Sequence, residues 1–176
     1  MVFKNTPMKL TELFLDQLAK ESLPTRRMLE RVPEGRNDYK PHPKSMSLGY
    51  LAAHVATLPA WISMTIGTDF LEFHSPEAQQ FMPKAVSTPE ELVQLLDASV
   101  AQAVESLNRA TDEHLMHPWQ FRFDGRIVSE SPRYAMIRDT VFSHLAHHRA
   151  QLGVYLRLND IALPGTYGPS ADEQAL

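Results

Sequence analysis

The chain has no cysteine. That excludes disulfide bridges, thiolate metal ligands and a cysteine nucleophile. It also lacks any apolar run long enough to span a membrane. Its first residues, MVFKNTPMKLTELFL, do not carry the uninterrupted apolar stretch of a signal peptide, so a cytoplasmic protein is expected. Lysine and arginine number 17 against 21 aspartates and glutamates, a net charge of −4, with neither a basic stripe nor a long charge block. Nucleic-acid binding relies on clustered basic side chains, so it is not expected here. Internal repeats, low-complexity tracts and a composition break are also missing. Residues 1–176 are expected to form a single domain, and 43% hydrophobic with 22% charged residues is ordinary for a chain able to bury one core.

What is present is helical periodicity. Leu10, Leu13, Phe14, Leu18, Met28, Leu29 and Val32 mark a first helix from about Lys9 to Arg31, with a kink or break expected at Pro24. The polar stretch PEGRNDYKPHPKS reads as a loop. A second helix starts at Ser47, a suitable N-cap, and runs to about Ile66 on the stripe Leu51, His54, Val55, Leu58 and Ile62, with a kink at Pro59. Residues 67–87 read as irregular. Thr88-Pro89-Glu90-Glu91 combines a cap, a first-turn proline and a capping box, and opens a third helix ending near Ala110. Asp124-Gly125 sits between alternating residues and predicts a hairpin near 118–130, packed through Trp119, Phe121 and Phe123. A fourth helix spans about Pro132 to Leu158. The tail, ALPGTYGPSADEQAL, is expected to run over the surface. The predicted fold is all-α: four amphipathic helices packed as an antiparallel four-helix bundle, with the small hairpin before the last helix.

Histidine is where this pattern becomes chemical. His144 and His148 lie four residues apart, on one face of the fourth helix. They share an arc with Ile137, Val141, Leu152 and Tyr155, so both face the core or a cavity in it. Such a pair can be two core histidines held by hydrogen bonds, or two ligands of a metal. His54 adds a third core-facing imidazole from another helix. Three neutral imidazoles in a dry interior are hard to satisfy except by a divalent metal, and three ligands leave a coordination position open, as catalytic sites do. A His144–His147 pair is an alternative by spacing, although His147 points outside the apolar arc and reads as a rim residue. His114 and His117 fall beyond the third helix and read as a solvated loop; His42 and His74 read as surface residues.

The LAAHVA context of His54, followed late in the chain by HLAHHRAQLGVYLRL, resembles the DinB/YfiT-like superfamily of candidate metalloenzymes. The resemblance covers most of the chain. Where that family usually shows HHRGQ, this chain has His147-His148-Arg149-Ala150-Gln151; alanine for glycine favours the helix and leaves the ligands untouched. The resemblance implies an up-down-down-up four-helix bundle carrying a divalent metal, zinc or nickel, on His54, His144 and His148. It also implies a homodimer, and a small-molecule substrate that includes, in some relatives, a low-molecular-weight thiol such as bacillithiol or mycothiol.

Two functional readings follow. The first is a metal-dependent thiol transferase or hydrolase, in which the cation on three neutral ligands acidifies a thiol or water. The second is a non-catalytic metal or small-ligand binding bundle of a stress-response type. In a third, the histidines are structural and the bundle is a dimerisation module. No general base stands out. Glu130 and Asp139 read as surface carboxylates and Tyr155 as core; Trp61, two turns beyond His54, reads as core or as a wall of the pocket. Arg149 reads as a salt-bridge or capping residue. Gln151 reads either as an orienting partner of the site or as a polar residue at the bundle edge.

Overall fold

The computed structural model describes residues 8–83, 86 and 88–173. The opening residues, on which the signal-peptide reading partly rests, and the last three of the tail lie outside the described residues. Helix α1 (Leu10–Leu29) has its first amides satisfied from a distance: the Asp112 carboxylate accepts from the Leu10 and Thr11 N–H groups at 3.0 and 3.4 Å. The helix continues through Pro24 without the expected break. Pro24 is buried, and the nearby Glu21 carbonyl accepts from both the Thr25 hydroxyl and the Arg149 guanidinium.

Ser47 caps helix α2 (Leu48–Thr57), accepting from the Tyr50 N–H. Almost every residue of α2 is buried, as befits the apolar run LGYLAAHVAT, so this helix forms the centre of the molecule. At Pro59 the chain tightens into a 3₁₀ turn, Leu58–Ala60, then resumes as helix α3 (Trp61–Gly67). The expected kink is therefore a change of helix type.

Residues expected to be irregular contain a strand, β1 (Phe70–Glu72), and a short helix, α4 (Pro76–Gln79). Helix α5 (Pro89–Arg109) has the capping box read from its sequence, with Thr88 and Glu91 exchanging side-chain to backbone bonds. A further short helix, α6 (Asp112–Met116), holds His114, where a loop was expected. The hairpin forms where it was read, β2 (Pro118–Phe123) and β3 (Arg126–Pro132) being antiparallel with Asp124 and Gly125 both at positive φ in the turn, but it packs inward through Trp119 and Phe121 only; Phe123, next to the turn, is exposed against Phe73 and His74. The hairpin is not alone, however. β1 pairs in parallel with β2, giving a three-stranded sheet in the order β1-β2-β3, so the fold is mostly helical rather than purely so.

The last helical span changes type twice. Helix α7 (Arg133–Met136) passes into a π-helical stretch, Ile137–Ser143, and then into helix α8 (His144–Arg157). α1, α2, α5 and α8 pack on one another around the main core, and Met64, Leu71, Ala78, Trp119 and Met136 form a smaller cluster against the sheet.

Two buried arginines fasten these parts. Arg133 donates to the carbonyls of Thr65, Thr68 and Pro118 and pairs with Asp69 at 2.6 Å, tying α7 to the ends of α3 and β2. Arg149, 2% exposed, pairs with Glu21 at 2.7 Å and donates to Thr25, tying α8 to α1. This ion pair agrees with the structural role expected for Arg149. No helix among the described residues is long and apolar enough to cross a membrane.

Candidate metal centre

His54 comes from the central helix α2, and His144 and His148 from the first two turns of α8, which packs against it. The three rings converge. Centroid separations are 5.2 Å for His54–His144, 4.7 Å for His54–His148 and 4.4 Å for His144–His148. One nitrogen from each ring lies within 4.8 Å of the other two. His54 and His148 are 8% and 6% exposed, and His144 is half-buried. These are the pair on one face of the fourth helix and the core-facing histidine of the second that the sequence offered as candidates.

Hydrogen bonds set the tautomers. His144 Nδ1 faces the Thr140 carbonyl at 3.3 Å. A carbonyl oxygen only accepts, so His144 Nδ1 carries the proton. His148 Nδ1 donates to Gln151 Oε1 at 2.8 Å. In the neutral rings both Nε2 atoms are then bare, and they face each other at 2.7 Å. Two lone pairs at that distance repel unless a cation lies between them. His54 adds a further mark of an unfilled requirement: its Nδ1 is buried with no hydrogen-bond partner.

A proton is a poor candidate for that cation. Burial, reinforced by the charges of His148 and His144, pushes the His54 pKa down to about 4. Burial also lowers the pKa of His144, followed by the charge of His148, and it lowers that of His148 despite the opposing bond to Gln151. All three are therefore neutral at pH 7, which is the ligand form of imidazole. The donor set fits a divalent metal.

Gln151 is the orienting partner that sequence left as one of two options. Such a bond fixes ligand rotation and tautomer. His147 is exposed, with its ring edge-on to His148 at 4.8 Å, as expected of a rim residue. Trp61 lies 5.8 Å from His54 and 5.6 Å from His144 between ring centroids, so it shields the site as well as joining the core. Tyr155 is core, its hydroxyl donating to the Met46 carbonyl. Glu130 is exposed and meets Gln120; Asp139 is exposed and paired with Arg138 at 2.7 Å. His74 and His42 are exposed, as expected.

Sequence reasoning missed the cavity beside this cluster. It measures about 580 Å³ and reaches from His144 and His147 to the inner face of the sheet. Its signal in the sequence is faint: aromatic residues and methionines spread over segments that meet only in three dimensions.

Comparison with known proteins agrees with this architecture. A comparison with curated proteins finds no match. Among solved structures, a DinB-like protein from Bacillus cereus ATCC 10987 is 23% identical, with a TM-score of 0.67, covering 88% of this chain and 95% of its own. A DinB-like protein from Bacillus subtilis is 18% identical, with a TM-score of 0.65 over 93% and 99% of the two chains. A DinB-family structure from Exiguobacterium sibiricum 255-15 is 22% identical, with a TM-score of 0.63 over 95% and 99%. At these identities the likeness speaks for the fold alone. The sequence model of the DinB family matches residues 1–175, and the chain therefore belongs to the DinB family, within the DinB/YfiT-like superfamily.

Proposed function

We propose that His54, His144 and His148 hold one divalent metal ion, zinc or nickel, and that the protein is a metal-dependent enzyme of the thiol transferase or hydrolase type. The observation that carries this reading is the pair of bare Nε2 atoms facing each other at 2.7 Å beside a third buried imidazole. A divalent cation on three neutral ligands keeps its full charge and lowers the pKa of a thiol or water that reaches it. The chain supplies the rest. The Thr140 carbonyl and the Gln151 amide hold the two α8 rings in the ligand tautomer, and Trp61 keeps water from the flank of the site. His147 borders the cavity beside His144. An external thiol suits a protein that has none of its own.

The same reading takes the four long helical spans as the up-down-down-up bundle of the family, folded as a single domain over residues 1–176. It takes the protein as a cytoplasmic homodimer acting on a small molecule.

A second reading is a non-catalytic metal or small-ligand binding bundle. Its support is that Asp139, the carboxylate on the cavity wall, is already engaged by Arg138. The deciding experiment is elemental mass spectrometry on untagged protein, followed by a screen of thiols against electrophiles. Metal in the wild type, almost none in His148→Ala, and metal-dependent turnover support the enzyme. Metal without turnover across the screen favours the binding bundle. Equal and negligible metal in both, even after loading with zinc or nickel, removes the metal-dependent enzyme and leaves only small-ligand binding.

A further inference from the structure

The cavity beside the histidines has a chemical character of its own. One face is the sheet. In β3, Ser129 and Ser131 are two residues apart and so share a face; they pair across the ladder with Phe121 and Trp119 of β2. All four border the cavity. The opposite side is helical: Trp61 and Met64 from α3, and Met136 with Asp139 and Thr140 from the last helical span. Phe81 and Met82 also border it. Both tryptophans of the chain, Trp61 and Trp119, therefore look onto one space.

Its charge is equally specific. Among the described residues no lysine or arginine lines it, and Asp139 is its carboxylate. The lining is aromatic rings and methionine thioethers, with polar groups restricted to hydroxyls, Asp139 and the two histidines at one end. An apolar body gains by leaving water for such a lining, whereas an anion buried there finds no lysine or arginine among the described lining residues. At about 580 Å³ the volume falls within the range of about 300–1,000 Å³ typical of small-molecule sites.

We propose that this cavity binds the apolar reactant: an uncharged, preferably aromatic small molecule whose one polar or electrophilic group lies at the His144 end. The inference rests on the functional reading above in making this molecule a reactant; the binding itself does not need the metal. It also divides the labour between two reactants. A thiol with a polar, hydroxyl-rich body finds few partners in this lining, so its body lies outside the cavity.

Two probes with the same ring skeleton test the proposal, N-phenyl-1-naphthylamine and its sulfonated form, 8-anilinonaphthalene-1-sulfonate. Quenching of Trp61 and Trp119 fluorescence reads their binding directly. In chelator-treated, metal-free protein the neutral probe is expected to bind saturably and about tenfold or more tighter than the sulfonate, the cost of burying an unpaired charge. Asp139→Asn should narrow that gap by favouring the sulfonate. Ser131→Phe and, independently, Ser129→Phe should fill the space and weaken the neutral probe, with helical content checked by circular dichroism. His148 does not line the cavity, so His148→Ala should bind the neutral probe as the wild type does while its metal content falls. Failure of the metal reading thus appears as metal-free wild type that still binds the probe. Non-saturable quenching, equal affinity for the two probes, or wild-type binding by both filled variants would overturn the proposal.

Discussion

The pairs His144–His148 and His114–His117 are alike in the chain, four and three residues apart, and in each the rings are close, at 4.4 and 6.2 Å between centroids. Their surroundings separate them. His114 Nε2 donates to the Ile66 carbonyl at 2.8 Å, which uses that nitrogen on the backbone, and His117 is exposed to water. In α8 it is the Nδ1 atoms that the chain engages, through Thr140 and Gln151, and the Nε2 atoms are left facing inward. What distinguishes a candidate metal centre from two neighbouring histidines is therefore which nitrogen is already spent. The second difference is a third imidazole: α2 brings His54 to the α8 pair, and no further His, Cys, Asp or Glu group of this kind is found among the described residues.

The strongest way to break the comparison is to remove one ring from each group. His148→Ala should drop bound metal from about one equivalent to almost none, while His114→Ala retains the wild-type content, as elemental analysis will show. Retention by both, or loss by both, would erase the distinction.

Acid should separate the groups next. His54 is neutral in the fold, with its pKa lowered from 6.5 to about 4. Between those values the unfolded chain takes up the proton first. Stability of metal-free protein is present above pH 6.5 and is lost as the pH falls toward about 4, by an amount on the order of 3 kcal/mol. Urea denaturation of chelator-treated protein across that window should show the loss, and His54→Gln should reduce it to what His144 and His148, also lowered by burial, contribute.

Gln151→Leu sharpens the comparison by releasing His148 Nδ1. Loss of such an orienting bond should weaken metal affinity about 10–100-fold with little change in fold, measured by competition with a chromogenic chelator. The smallest effect belongs to the other pair. His114→Ala removes one half-buried bond to the backbone and should cost about 1 kcal/mol in thermal or urea unfolding.

Much of this architecture is legible residue by residue. Thr88 and Glu91, Ser47, and Asp124-Gly125 each act on a backbone a few residues away, so their caps and turn appear where the sequence places them. Pro24 shows the limit. Its ring argues for a break, yet the helix runs through it in a buried turn that Arg149 of α8 joins at the Glu21 carbonyl. β1 could not be read because three residues carry too little alternation, and its partner β2 lies far along the chain. The π-helical stretch before His144 is equally silent: its hydrogen-bond register depends on how Ile137, Val141 and Phe142 pack.

Read alone, the chain yields the long helical spans, their caps, the hairpin turn and His54, His144 and His148 as core-facing candidates, because periodicity, capping and i to i+4 spacing are local properties. Tertiary structure decided which nitrogens are free, made Gln151 and Trp61 part of the site, and enclosed an aromatic cavity beside it. Those depend on contacts between distant segments, where the side chains that meet are chosen by packing and not by their order along the chain.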